Sequence, residues 1–441
     1  MDTQPSPLKP VPSPTPLDLS TLAPDEWNTW YGVLERAFGG VAEAPEERAL
    51  WHDLTEFDRS IAVYDGKPTK QLVAASSAFS FRAVVPGGAE VPAAGITMVG
   101  VLGTHRRRGV LSAMMRRLLD DARERDEPLA VLTASEPAIY GRFGFGVASR
   151  KMRVSIPRHR VRIVPPSDPS GFLPHGPVPR LRMVDAAEAA PACEELYRRV
   201  GPGRPGWLAR PDGWERQAVL DPESYRGGGS PLMCVLAEDP EAAGDAGGGL
   251  RGYSRYSVKP GWEWQGAKGT VNVRDVQAAD PVAYAELWRY LLEIDLTDTV
   301  VCANLPVDDP LLELVTDARR CDAGVVDSLH ARLVDLRAAL SARRYTRPMD
   351  VVLEVADDFC PWNEGRWRLS ADAEGRAVCE RTADQPDLAL TARELGAAYF
   401  GATSLAQQAG AGRIAELRPG ALAEASGAFA TDVAPWLPRG F

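Results

Sequence analysis

Between Leu17 and Thr133 the apolar positions follow two rhythms in turn, and together they predict alternating strands and helices. Leu17 to Leu22 reads as a short strand, and Pro24-Asp25-Glu26 supplies the acidic first turn of a helix. Trp27, Trp30, Tyr31, Leu34 and Phe38 then recur at helical spacing as a buried stripe closed by Gly39-Gly40. Glu46 to Leu54 is a second helical stretch. Gln71 to Val84 and Val91 to Leu102 read as strands of a meander turned at Pro86-Gly87-Gly88. Beyond them Leu111, Met114, Met115, Leu118, Leu119 and Ala122 mark one face of a long amphipathic helix. The strand Leu129 to Thr133 follows, and then a Tyr-x-x-Phe-Gly-Phe hairpin whose Phe143 and Phe145 belong to the core.

The opening plan returns weakly further on. Leu181 to Gly201 is again a strand and a helix, ending Leu196-Tyr-Arg-Arg-Val-Gly201 much as Leu34-Glu-Arg-Ala-Phe-Gly39 ends the first. After the apolar strand Val300 to Ala303 comes Asn304-Leu-Pro-Val-Asp-Asp-Pro310, whose carboxylates would repel an anionic ligand, so the second copy is expected to have lost its ligand loop. Gly227 to Gly229 and Glu238 to Gly249 read as surface loops, the latter as a hairpin connection. From about residue 328 the texture becomes short strands (Val351 to Val355, Trp367 to Ser370, Ala377 to Arg381, Leu388 to Thr391) followed by Ala-rich helices around Arg393 to Phe400 and Ala421 to Phe429, an α+β pattern.

Length and composition narrow the function classes. At 441 residues the chain has room for about three domains at roughly 150 residues each. Met1 to Pro16 carries six prolines and no hydrophobic segment, so it is expected to be a disordered, polyproline-like tail and neither a signal nor an anchor. No apolar run approaches the roughly 20 residues of a membrane helix, so no membrane partner is expected. Six cysteines are scattered without Cys-x-x-Cys spacing, which predicts reduced thiols in a cytoplasmic protein and no metal site. A net charge of -10 argues against nucleic acid and suits cationic ligands, although an acidic surface also serves solubility alone.

The chemistry concentrates between Val99 and Phe145. An apolar strand runs into His105-Arg-Arg-Arg-Gly109 and directly into a helix, so the unpaired amides of the first turn meet arginines and a glycine that admits close approach. That is a cradle for a pyrophosphate. His105 reads as a loop or nucleotide-edge residue and not as a base. Tyr140 follows the next strand; by position alone it is equally a packed aromatic or a phenolic acid, since a phenol with a pKa near 10 stays protonated at neutral pH. Helix-spaced Trp30 and Phe38 are core residues or walls of an acceptor pocket, as is Trp51; Glu56 and Asp58 are candidate negative charges beside it.

Arg106-x-x-Gly109 between strand and helix resembles the acetyl-CoA loop of the GNAT acetyltransferase superfamily, with Leu111 departing from its pattern. The fuller string Val99-Gly-Val-Leu-Gly-Thr-His-Arg-Arg-Arg-Gly-Val-Leu111, with Ser135-Glu136 and Ile139-Tyr140-Gly-Arg-Phe-Gly-Phe145, resembles the Eis (enhanced intracellular survival) branch. Pro386-Asp-Leu-Ala-Leu-Thr391 and the helix ending Tyr399-Phe400-Gly401 resemble a sterol-carrier-protein-like domain. The resemblance implies an α/β (α+β) chain of tandem GNAT-like domains, the second degenerate, with that third domain behind them. The expected division is a tail at 1–16, a catalytic domain at 17–157, the degenerate domain at 158–327 and the sterol-carrier-like domain at 328–441.

It further implies that Val99, Gly100 and Val101 meet the pantetheine arm, and that Arg107, Arg108, Gly109, Val110, Leu111 and Ser112 hold the pyrophosphate of acetyl-CoA. Ser135 and Glu136 would border the arm, Tyr140 would be the general acid, and Phe38 and Trp51 would line the acceptor pocket. The general base would be the carboxylate of the chain terminus at Phe441; Ala434-Pro-Trp-Leu-Pro-Arg-Gly-Phe441 is apolar and proline-stiffened where termini are usually polar and frayed. The implied acceptors are polyamines and above all aminoglycosides, acetylated at more than one amine by direct transfer in a homohexamer. Protein or peptide lysines are the alternative acceptor. A non-catalytic CoA- or lipid-binding module is the alternative of another class.

Overall fold

A computed structural model describes residues 17–66, 70–164, 166, 177–241 and 249–441, so the proline-rich tail expected at 1–16 and most of the Glu238 to Gly249 connection lie outside the described residues. The chain divides into two compact units, one of residues 1–43, 55–79 and 96–118, the other of residues 44–54, 80–95 and 119–441.

In the first unit β1 (Asp18–Thr21) pairs antiparallel with β2 (Ile61–Asp65), and β2 with the opening of β3 (Gln71–Val84). The helix α1 (Trp27–Ala37) buries Trp27, Trp30, Tyr31 and Leu34. Trp30 is pure core: it has no exposed surface and gives its indole N–H to the Ile61 carbonyl at 2.8 Å. Phe38 leaves the expected stripe. The helix ends at Ala37, Phe38 takes non-helical backbone angles as its C-cap, and its side chain is 59% exposed.

The second unit contains α2 (Pro45–Leu54) and the tip of the hairpin between β3 and β4 (Glu90–Val101), closed by the Val85 amide on the Ala89 carbonyl at 2.9 Å. Chain order then gives α3 (Val110–Glu124), β5 (Leu129–Thr133), β6 (Gly146–Val147) and β7 (Arg150–Pro157). β4 and β5 pair in parallel over Ala93–Gly95 and Leu129–Val131, where their ladder stops.

A seven-stranded sheet follows, built from β7, β8 (Arg180–Asp185), β10 (Met233–Glu238), β11 (Leu250–Lys259), β14 (Gly269–Ala278), β15 (Thr297–Leu305) and β16 (Gly324–Asp327). Its order is β16-β7-β15-β14-β11-β10-β8. Helices α4 (Ala190–Val200), α5 (Glu215–Val219), α6 (Pro281–Glu293) and α7 (Leu311–Leu314) belong to this part. So do β9 (Leu208–Ala209), which pairs with β3 at Arg82 and Ala83, and the small hairpin β12 (Trp262–Glu263) and β13 (Gly266–Ala267). The core sets Leu287, Trp288 and Leu291 of α6 against Ile156, Val235, Val271 and Val300 of the sheet.

Sheet membership crosses the boundaries expected from chain order. β7, counted with residues 17–157, lies between β15 and β16 in the second sheet. β17 (Leu329–Leu333), counted with residues 328–441, lies between β5 and β6. Alternation along a strand fixes which face is buried and leaves the partner open, so this exchange has no local signature.

The last part comprises α8 (Leu336–Ala342), β18 (Met349–Ala356), β19 (Gly365–Ala371), β20 (Ala377–Arg381), β21 (Leu388–Thr391), α9 (Ala392–Ala398), α10 (Leu405–Gly410), β22 (Ala415–Glu416) and α11 (Ala421–Ala428). Thr391 and Glu394 close a capping box at the start of α9. Inside this layer the buried Arg343 donates to the carbonyls of Tyr399 (2.6 Å) and Phe429 (2.9 Å), just past the C-termini of α9 and α11, with the Tyr345 and Phe429 rings 4.6 Å away. Helix-end carbonyls and aromatic faces stabilise that cation, and with Tyr345, Tyr399 and Phe400 it fills the space beneath the sheet. Among the described residues no helix is long and apolar enough to cross a membrane.

Candidate active site

In the first unit the strand-to-helix turn has an unusual backbone. Met98, inside β4, has φ +53° and Arg107 has φ +62°, conformations that cost a side-chain-bearing residue about 1–2 kcal/mol each. Val99, Gly100 and Val101 follow the first of these, and Gly109 at φ +82° follows the second. A Cβ on Gly109 would meet nothing within 4 Å, so the glycine serves the backbone angle and leaves open space before α3. Arg107, Arg108 and Ser112 are exposed there, while Val110 is buried and Leu111 half-buried as the helix starts.

His105 anchors this loop. It is buried, with Nε2 2.9 Å from Asp65 and Nδ1 2.8 Å from the Thr104 hydroxyl. Arg108 stands 3.8 Å from the same Asp65 carboxylate. The His105 hydrogen bond first, and the Arg108 charge after it, hold Asp65 below the usual carboxylate range against the cost of its desolvation. A carboxylate at the end of β2 thus fixes the loop and turns the His105 ring to a structural task.

The second unit carries Ser135 and Glu136, both exposed just after β5, and Tyr140. The expected hairpin is a 3-10 turn over Pro137–Phe143, closed by Gly144 at φ +81°. Glycine is required there twice over, by the angle and because a Cβ would lie 1.6 Å from Nη1 of Arg332. That guanidinium, fully buried, donates to the Phe143 carbonyl through Nη1 and to both carboxylate oxygens of Asp357 through Nη2, at 2.7 and 2.6 Å. The Arg332–Asp357 pair thereby holds the end of the turn that presents Tyr140. Burial, and then the negative charge of Glu136, push the Tyr140 phenol above its ordinary value, so it keeps its proton at neutral pH. Asp357→Asn leaves a buried guanidinium without its counter-charge and is expected to cost about 3 kcal/mol in denaturant unfolding.

The same unit holds the C-terminal tail. The Phe441 ring packs on Phe81 (centroids 4.9 Å apart), Phe81 on Trp214 (5.0 Å), and Trp214 on Trp51 (6.0 Å). Gly95 leaves room for this stack, since a Cβ there would lie 2.4 Å from the Phe81 ring and 3.1 Å from that of Phe441. Thr133, the last residue of β5, donates to a carboxylate oxygen of Phe441 at 3.5 Å, and Gln217 to the carbonyl of Gly440 at 3.0 Å. Trp51 gives its indole N–H to Glu47 at 3.4 Å, which sets a carboxylate beside the ring. Sequence reasoning passed over Phe81, Thr133, Trp214 and Gln217. Nothing in their spacing marks them, because the tail alone brings them together.

Further residues of the tail rest on the segment after β15. Within it Asp309 is buried, accepts from the Tyr284 hydroxyl and from the Leu311 amide at 2.9 Å, and is pushed by burial up to about 6. The folded state therefore holds this proton longer than the unfolded chain does. The stabilising share is complete below about pH 4 and is lost as pH rises through about 6. Asp309→Asn keeps the acceptor and removes the titration. Its melting temperature relative to the parent is expected to rise between pH 4.5 and 7.5, by the equivalent of about 2 kcal/mol.

The second sheet also shows why its own matching strand-to-helix turn does not suit an anion. Parallel β4 and β5 are joined through α3; their counterparts are β14 and β15, joined through α6. The turn to compare with Arg106 to Gly109 is thus Ala279-Asp280, and not Asn304 to Pro310 as the sequence suggested. Chain order hid this because β14 reads as one more strand of a meander. At that turn Asp280 caps α6, accepting from the amides of Val282 (3.0 Å) and Ala283 (2.9 Å) while paired with Arg251 at 2.8 Å. The helix end is taken by the protein's own carboxylate.

Comparison with known proteins decides the family. Models described as Acetyltransferase (GNAT) domain match residues 18–148 and 206–337, and one described as Sterol carrier protein domain matches 336–438. An uncharacterized N-acetyltransferase of Streptomyces avermitilis is 56% identical over 426 residues, 96% of this chain and 99% of that one. The N-acetyltransferase Eis of Mycobacterium tuberculosis is 30% identical over 420 residues, 94% of this chain and 97% of its own. The chain belongs to the Eis family of GNAT N-acetyltransferases. The crystal structure of Eis1 from Mycobacterium abscessus agrees, with a TM-score of 0.78 at 31% identity over 96% of this chain and 100% of that one.

Tandem GNAT domains and a sterol-carrier-like third part, expected from the sequence, are therefore what an Eis-family chain of this length contains. The enzyme is an N-acetyltransferase whose acetyl donor is acetyl-CoA. The α3 turn fits the pyrophosphate of that co-substrate, since it combines open space at Gly109, exposed Arg107 and Arg108, and a helix start whose N-cap, being glycine, carries no competing carboxylate. Acetyl-CoA supplies the activated thioester.

Proposed function

We propose that this Eis-family enzyme acetylates polycationic amines, aminoglycosides foremost and at more than one position, with Tyr140 as general acid and the Phe441 carboxylate as general base. The observation that carries the reading is the seat of the terminus: Phe441 meets Thr133 at the end of β5, the strand that leads seven residues later to Tyr140. The Phe441 carboxylate takes the proton of the attacking amine as the new C–N bond forms. Tyr140, whose phenol burial keeps protonated, gives its proton to the sulfur as the C–S bond breaks. The family resemblance assigns the pyrophosphate to Arg107, Arg108 and the residues Gly109 to Ser112, and the pantetheine arm to Val99 to Val101 and to Ser135 and Glu136.

An acceptor cation is supported by Glu47 beside the Trp51 ring and by the net charge of -10. A homohexamer belongs to the same reading and rests on the family resemblance, and a cytoplasmic location rests on the six free cysteines. The test is a panel of aminoglycosides, linear polyamines and lysine peptides assayed for CoA release, with mass spectrometry counting acetyl groups per product. Multiply acetylated aminoglycosides are expected. Turnover confined to lysine peptides would replace this acceptor class with the protein-modifying one.

A further inference from the structure

An α/β sheet offers its usual ligand position at the carboxyl end of a parallel strand. In the second sheet that position belongs to β15, beside its parallel neighbour β14, and Asn304 stands there. Its side-chain amide donates to the carbonyls of Leu437 (3.1 Å) and Pro438 (2.6 Å), and its oxygen accepts from the Trp436 indole at 2.9 Å. Asp308 accepts from the Ala434 amide at 2.8 Å and from Arg204 at 2.6 Å, while Arg204 also donates to the Ala434 carbonyl at 2.7 Å. The Pro205 carbonyl takes the Trp436 amide at 2.9 Å, and Arg439 donates to the Gln217 carbonyl at 2.9 Å. All these partners fall between residues 204 and 308, in the domain whose own helix end is capped by Asp280.

We infer that this second GNAT domain is a clamp for the C-terminal tail. Its ligand position at the end of β15 is retained and filled by residues 434–440, and Asn304 is the positioning residue that sets Phe441 against Phe81 and Thr133. The domain thus has a function of its own without a co-substrate. A terminus has no following chain to restrain it, and reacting groups tolerate only about 1 Å of misplacement, so the hydrogen bonds along 434–440 supply the order that the end of a chain lacks. Burial of Trp436 and Leu437 adds apolar stabilisation to the same stretch. The inference rests on the reading of Phe441 as general base, because the clamp bears on turnover through that group.

The test uses Asn304→Ala and, should that variant fold poorly, Asp308→Ala at a more exposed site. Each is compared with the parent and with an enzyme extended by two residues beyond Phe441. For either variant kcat is expected to fall by about tenfold or more, with the KM for acetyl-CoA within about twofold. Carboxypeptidase A should release Phe441 several times faster. A merely structural role of Asn304 would lower kcat without speeding the release of Phe441, and that outcome would also overturn the clamp. Folded variants with unchanged kcat and unchanged Phe441 release, beside an inactive extended enzyme, would overturn the clamp and leave the base reading standing. An extended enzyme with full turnover would overturn the base reading, and Phe441 release would then judge the clamp by itself.

Discussion

Tyr140→Phe is expected to lower kcat by roughly a hundredfold or more while the fold and the KM for acetyl-CoA stay near those of the parent. The substitution keeps the ring against Phe145, at 6.2 Å between centroids, and removes only the hydroxyl. Because burial and Glu136 both raise the phenol above its ordinary value, its proton is present across the working pH range, and the loss should be nearly uniform from pH 6 to 9. Steady-state kinetics with one amine acceptor and thermal unfolding of the same preparation check this. A kcat within a few-fold of the parent would return Tyr140 to the core.

Turnover should be abolished when residues are added after Phe441. The added chain replaces the carboxylate at Phe441 by a peptide group with no useful basicity, and it has to leave past the stack of Phe441, Phe81 and Trp214. Deleting Phe441 instead moves the carboxylate to Gly440 and removes the ring, so activity should fall steeply there as well. Binding of acetyl-CoA is the control and should persist in both, since the α3 turn is made by other residues. A C-terminally tagged enzyme with full kcat would reduce the terminus to a structural element and direct the search for a base to Glu136 and the carboxylates near Trp51.

Legibility from sequence followed the range of the interactions involved. The α3 turn was readable because its parts are contiguous: an apolar strand, arginines, a glycine and a helical stripe within some twenty residues. The role of Asp65 in fixing that turn through His105 was not, since the two lie forty residues apart and no pattern joins them. Trp30 and Phe38 show the limit of periodicity. Both fit one helical stripe, yet one is fully buried and the other 59% exposed, because the helix ends between them.

The sequence by itself determined the local order of elements, the arginine- and glycine-bearing turn before α3 and the family, all of which reside in neighbouring residues. Tertiary structure alone decided the exchange of β7 and β17 between sheets, the closing of the α6 end by Asp280, and the gathering of Arg204, Gln217, Asn304 and Asp308 around the tail. The physical reason is the same in each case. A strand's pattern states which face is buried but not which neighbour it pairs with, and a carboxylate or amide states what it bonds but not to whom, until the chain has brought its distant parts together.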